Sequence, residues 1–320
     1  MQGLVTIFGG SGFVGAQVVR ALAKRGLRLR VAVRNPGRGY KLRMLGDVGQ
    51  IEVVQANIRN PASIARALGG AQACVNLVGV LYEAGRQQFQ AVHAMGARNI
   101  AEAAAATGVG RLVQMSALGA DPESSSKYAR TKAMGEAAVR EVLPGAVILR
   151  PSIVFGQEDH FFNRFAAMST LSPVLPLIGG GASRFQPVFV GDVAGAVASA
   201  VVDPATAGKT YELGGPGVYS FKALMQLMER ETGRRPFLAP VPFPMASLIG
   251  LVGDLVAGII PPPLTRDQVE LLRADNVVSP DAAGLAELGV QPTALEAILP
   301  TYLYRYRKGG QYAEAMARGA

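Results

Sequence analysis

A chain of 320 residues that is 49% apolar has the material for a large core without covalent staples, and its single cysteine, Cys74, excludes an internal disulfide. The two histidines, His93 and His160, stand far apart without partners at ligand spacing, which argues against a zinc site or any other metal centre. The net charge of +9 is gathered early, since Arg20, Lys24, Arg25, Arg28, Arg30, Arg34, Arg38, Lys41 and Arg43 all precede the first acid, Asp47. No nucleic-acid motif carries this basic run, so it points to an anionic cofactor, an acidic protein surface or anionic lipid.

In chain order, the first half alternates strand and helix. Strands are expected at Leu4–Phe8, Leu29–Val33, Ile51–Gln55, Ala73–Val78, Leu112–Met115 and Ala146–Leu149. Helices are expected at Phe13–Arg25, Pro61–Leu68, Arg86–Thr107 and Ser126–Val142. Short apolar runs separated by amphipathic helices give a doubly wound parallel α/β sheet of Rossmann type, covered on both faces. After Pro151 prolines become dense and the pattern turns mostly helical, so residues 1–150 are assigned to a dinucleotide-binding domain. Residues 151–320 are expected to complete the sheet, near Gln186–Val202 and Thr210–Leu213, and to form a smaller C-terminal lobe. The first strand starts almost at Met1 and no apolar run reaches about twenty residues. The expected location is therefore cytoplasmic, or docked on a membrane from that side.

Gly9-Gly10-Ser11-Gly12-Phe13-Val14-Gly15 follows the first strand and opens the first helix. Gly9 suits the sharp turn, Gly12 a close approach of backbone to a pyrophosphate, and Gly15 tight packing of helix on strand. The backbone of Gly9, Ser11, Gly12, Phe13, Val14 and Gly15 then aims a helix N-terminus at the anion. Arg34 ends the second strand, where an acid would bind the ribose 2′-hydroxyl of NAD. A guanidinium there favours the 2′-phosphate of NADP, with Arg38 or Lys41 alongside. Gly79, just past the fourth strand, would let the cofactor pass close to the backbone. Ile58, Val78, Ser116 and Pro151, at or just beyond strand ends, complete the expected lining of an NADPH site. Tyr128 and Lys132 lie four apart on one helix face. In a reductase the tyrosine protonates a carbonyl, while the lysine lowers its pKa and holds the nicotinamide ribose.

The glycine turn, the Tyr128–Lys132 pair and Arg150-Pro151-Ser152-Ile153-Val154-Phe155-Gly156 resemble the extended and atypical short-chain dehydrogenases. Three longer blocks are similar to one branch, the dehydrogenase-like accessory subunits of respiratory complex I. These are Ser124 to Glu136, Phe155-Gly156-Gln157-Glu158-Asp159 with the following Phe161 to Phe165, and Gln186 to Val193. That resemblance implies a structural, unturned NADPH and docking against core subunits where the peripheral and membrane arms of the complex meet. It also puts Asn57, where family members often bear an aspartate, near the adenine, to which it can hydrogen-bond. The enzymatic pattern is incomplete. Leu118 falls where a catalytic serine or threonine is expected, Ser116 is short of that place, and His93 stands where relatives carry asparagine. Ser124, Ser125 and Ser126 are expected to cap the helix before Tyr128. The alternative is a free-standing NADPH-dependent reductase or epimerase-like enzyme, or a redox sensor using the same site.

Residues 244–260 are apolar on every face except at Asp254, yet too short and glycine-rich to span a bilayer. They read either as a helix packed in the small lobe or as a surface touching lipid or a membrane subunit. The tail Tyr302 to Lys308 mixes aromatics and cations, as an interface or a solvated terminal helix would.

Overall fold

The computed structural model describes residues 3–258 and 260–312. The first half forms β1 (Leu4–Phe8), α1 (Phe13–Lys24), β2 (Arg28–Val33), β3 (Ile51–Gln55), α2 (Pro61–Leu68), β4 (Ala73–Asn76), α3 (Met95–Ala106), β5 (Arg111–Met115), α4 (Lys127–Val142) and β6 (Val147–Pro151). The second half adds β7 (Val154–Phe155), α5 (Phe162–Leu171), β8 (Val174–Ile178), β9 (Arg184–Phe185), β10 (Val188–Phe189), α6 (Val190–Val202), β11 (Thr210–Leu213), β12 (Tyr219–Ser220), α7 (Phe221–Thr232), β13 (Phe237–Val241), α8 (Phe243–Val256) and α9 (Arg266–Leu271).

Seven strands make one sheet in the order β3-β2-β1-β4-β5-β6-β11, every pairing parallel. Strand side chains alternate between two cores. Val5 and Ile7 join Val18, Val19 and Leu22 of α1 and Val193 and Val197 of α6. Phe8 faces the other way, into Ile64 and Leu68 of α2, Ile100 and Ala104 of α3, and Val139 of α4. Each such buried aliphatic or aromatic side chain stabilises the fold by about 1.5–3 kcal/mol. The chain winds outward from β1 to β3, then returns to place β4 against the other side of β1, with Phe8 in register with both Ala32 and Asn76. The strand order therefore reverses at β1 and β4, and the crevice for a ligand opens at their carboxyl ends.

The sequence pattern and the hydrogen-bond ladder differ in places. β4 stops at Asn76, whose side chain takes the Val78 N–H at 3.1 Å and turns the chain out of the sheet. The expected 86–107 helix begins only at Gln90, and residues 90–94 form a wide π-turn before α3. β6 runs on to Pro151 because it pairs with β11, which closes the sheet from the second half. Within 186–202, β10 pairs with β7 outside the main sheet, and α6 is what returns to it, as cover.

A third, aromatic-rich core gathers Phe155, Phe162, Phe185, Phe221 and Tyr302. Tyr302 is thus buried, its hydroxyl donating to the Asp159 carboxylate, and the tail is neither solvated nor free at that point. The 244–260 segment is helical but mostly uncovered. In α8 only Ala246, Gly250 and Gly253 are buried, while Leu248 is 65% and Leu255 76% exposed.

Candidate dinucleotide site

Four glycines build the turn after β1, each in a different setting. Gly9 has φ +81°, a left-handed backbone that favours glycine, and a methyl there would lie 3.1 Å from the Leu77 and Val78 backbone. A methyl on Gly15 would lie 2.4 Å from the Gly9 carbonyl oxygen, so α1 and the turn touch backbone to backbone. Gly12 is different, since a methyl there would meet only the Gly9 oxygen at 3.5 Å. Space beyond Gly12 is open, and no side chain caps the first turn of α1. Gly10, missed by the motif reading, seats the turn on β2, where a methyl would lie 2.6 Å from Val31. The arrangement is an uncapped helix N-terminus with a cleared approach, which suits an anion.

Arg34 follows β2 directly, is exposed, and forms no ion pair among the described residues. Arg38 and Lys41 are exposed nearby, on two successive 3-10 segments, Pro36–Arg38 and Tyr40–Leu45. Asn57 is half-buried after β3. Its Oδ1 accepts the Arg59 N–H at 3.1 Å, and its own N–H donates to Ser63 Oγ at 3.0 Å. Ile58 is buried beside it, its carbonyl held by Asn99. Val78 and Gly79 leave β4 along the crevice, and a methyl on Gly79 would sit 3.3 Å from Lys132 Nζ and 3.7 Å from His93 Nε2.

α4 brings Tyr128 and Lys132 to that same point. Lys132 is buried, with Nζ donating to the Met115 carbonyl at 3.4 Å and lying 5.6 Å from the Tyr128 ring centroid. Burial lowers Lys132 to about 8, against an upward pull from Glu136. Tyr128 moves the other way, pushed up to about 12 by burial and then by Asp267. Ser116, at the end of β5, has a buried hydroxyl without a hydrogen-bond partner among the described residues. Leu118 is buried and apolar, its N–H donating to the Pro151 carbonyl at 3.0 Å. Ser126 caps α4 by accepting the Ala129 N–H at 3.2 Å, while Ser124 accepts the Ser126 N–H.

His93 is a functional neighbour that the sequence marked only as a departure. It lies in the π-turn, stacked on Phe89 and edge-on to Tyr128. The Val80 N–H donates to Nε2 at 3.1 Å, so Nδ1 carries the proton and donates to Thr131 Oγ at 3.2 Å. The Thr131 hydroxyl in turn donates a hydrogen bond to the Tyr128 carbonyl at 3.1 Å. Burial, then the charge of Lys132, lowers His93 to about 2, so the ring is neutral. Asp267 is the residue that sequence reasoning missed altogether. The string Thr265-Arg266-Asp267-Gln268 announces a helix start, but not that the aspartate serves another helix.

The model of the NAD dependent epimerase/dehydratase family matches residues 5–214. The chain is 35% identical to the Arabidopsis thaliana mitochondrial NADH dehydrogenase [ubiquinone] 1 alpha subcomplex subunit 9, across 97% of this chain and 80% of that protein. It is 36% identical to the Mus musculus protein of the same name, across 95% and 80%. Among solved structures, the triphenylmethane reductase of Citrobacter sp. superposes with a TM-score of 0.73 at 21% identity, over 93% of this chain and 99% of that one. That likeness speaks to the fold.

Proposed function

The chain belongs to the NAD dependent epimerase/dehydratase family and, within it, to the alpha subcomplex subunit 9 branch; from that premise we propose that it is an accessory subunit of respiratory complex I that holds NADPH without turning it over. The observation that carries the reading is the uncapped α1 N-terminus, cleared of side chains at Gly12, with Arg34, which has no ion-pair partner among the described residues, after the neighbouring strand. The residues present fit the dinucleotide. The N–H groups of the turn from Ser11 to Gly15 would take the pyrophosphate, Arg34 the 2′-phosphate, and Asn57 and Ile58 the adenine side. Lys132 would hold the nicotinamide ribose, and the orphaned Ser116 hydroxyl supplies a buried polar group in want of a partner. Val78, Gly79 and Pro151 line the path between.

Bound NADPH would supply a hydride. Against turnover stands the proton side of this site. Leu118 offers no hydroxyl to orient a carbonyl, and Tyr128 is held at about 12, away from the range of a ready proton donor. The neighbouring Asp267 charge opposes the lowering that Lys132 would give. Association with the respiratory oxidoreductase is supported by the names of the relatives, and docking against its core subunits at the junction of the two arms, on the membrane face that carries the peripheral arm, is the finer part of this proposal. Contact with anionic lipid is supported by the uncovered α8 and the net charge of +9.

Native electrophoresis of mild-detergent membranes tests the assignment. The chain is expected to migrate with NADH:quinone oxidoreductase, and its deletion to weaken that band. Migration alone, with an intact oxidoreductase lacking the chain, would contradict it. The second reading, an independent reductase, is favoured by one observation, the juxtaposed Tyr128 and Lys132. It requires carbonyl-dependent NADPH oxidation that Tyr128→Phe abolishes while NADPH binding persists.

A further inference from the structure

Left to itself, α4 starts poorly. Its first turn has no acid, and Lys127 and Arg130 put positive charge at the positive end of the helix dipole. The missing anion comes from α9, 139 residues from Tyr128 along the chain. Asp267 Oδ1 accepts the Lys127 N–H at 2.6 Å, and Oδ2 accepts the Tyr128 N–H at 3.1 Å and the Ser126 hydroxyl at 2.9 Å. With Ser126 serving Ala129, the first three N–H groups of α4 are all satisfied, two of them by one side chain of the C-terminal lobe.

Asp267 is itself firmly held. Thr265 and Gln268 cap each other reciprocally, Gln268 Nε2 also reaches the Leu81 carbonyl at 3.4 Å, and Ser125 Oγ reaches Glu270 at 3.4 Å. Behind α9 lies α8, in close backbone contact with the same segment. A methyl on Gly250 would lie 2.6 Å from the Arg266 nitrogen, and one on Gly253 would lie 1.8 Å from the Leu264 carbonyl oxygen. The two glycine contacts, with Ala246 of α8 packed in one cluster with Val269 of α9, join α8 to the segment that carries Asp267, and one helical turn separates the Asp267 contact at Tyr128 from Lys132.

We propose that Asp267 is a positioning residue that couples the dinucleotide site to the α8 surface, so that holding NADPH and ordering the α8–α9 segment favour one another. The coupling rests on the NADPH reading above. Linkage makes it reciprocal, since whatever orders α8 tightens the cofactor by the factor with which the cofactor orders α8. The contribution of Asp267 to the raised pKa of Tyr128 is the electrostatic mark of the same contact.

Full-length protein and its Asp267→Ala and Asp267→Asn variants are compared by NADPH titration, by hydrogen exchange over residues 243–271 with and without NADPH, and by NMR titration of tyrosines labelled at Cζ. In the unaltered chain NADPH is expected to slow exchange across 243–271. Asp267→Ala should weaken NADPH binding by at most about tenfold, the limit reached if the whole stability cost of a lost charged cap is passed on to the site, and should remove that protection. Asp267→Asn, nearly isosteric and able to carry the test if the alanine variant fails to fold, should move the Tyr128 titration to lower pH while hydrogen exchange across α4 stays as in the unaltered chain, the second readout separating the lost charge from lost burial, which would also lower that titration. Equal affinity and equal protection in both variants, with the unaltered chain binding NADPH, overturn the coupling alone. An unaltered chain that ignores NADPH removes the coupling together with the cofactor reading.

Discussion

His93 spends both ring nitrogens on hydrogen bonds of fixed direction, one from Val80 and one to Thr131, and so ties the strand-end loop at Gly79 to the helix that carries Lys132. A group held neutral by burial has a pH signature. Its folded pKa is about 2 against an ordinary 6.5, so the unfolded chain binds the extra proton first as pH falls. The stability this site contributes is full above pH 6.5 and is lost progressively toward pH 2. Between pH 7 and 5 the loss amounts to about 2 kcal/mol. Urea unfolding across that range is expected to show it, and His93→Gln to flatten the slope; an unchanged slope in the variant would place the sensitivity elsewhere. A sequence shows a histidine in an asparagine's place. Its tautomer and its neutrality follow only from the partners that surround it.

At the scale of elements, the β1–α1 turn separates ligand space from packing space. Gly12→Ala introduces a methyl into open room and is expected to leave the unfolding midpoint of the empty protein within about 0.5 kcal/mol. It should nevertheless weaken NADPH, because the methyl stands where the pyrophosphate comes nearest. Gly15→Ala drives a methyl into backbone atoms that cannot rotate away, and should destabilise even the empty protein by about 1–3 kcal/mol. Equal effects of the two changes on stability would dissolve the distinction. The glycine spacing was legible because the turn is local, and the strands of the first half because each is a short, nearly continuous apolar run. Their ends were not, since Asn76 and the β6–β11 ladder decide them through hydrogen bonds rather than hydrophobicity. The two-residue strands β7, β9, β10 and β12 are too short for any period to show. The Asp267 cap lies outside local pattern altogether, joining elements 139 residues apart.

For the whole molecule, a basic chain whose apolar α8 is largely uncovered sets the question of what it rests on. No described helix is long and apolar enough to cross a membrane. α8 instead presents Met245, Leu248, Val252 and Leu255 outward, a surface that suits lying in a headgroup region. Flotation with anionic vesicles is expected to carry the protein upward, and Leu248→Glu with Leu255→Glu to leave it at the bottom, each leucine contributing about 1.5–3 kcal/mol when buried. Failure to float with anionic vesicles would leave α8 to a protein partner. The most direct measurement of all is a thermal melt of the isolated protein with NADPH, with NADH and with neither. A ligand at about 100 times its dissociation constant stabilises by about 2.7 kcal/mol. NADPH should therefore raise the melting temperature by several degrees, NADH should do much less at the same concentration, and Arg34→Glu should erase the difference. A protein that melts at one temperature whatever dinucleotide is added would contradict the cofactor assignment at its root.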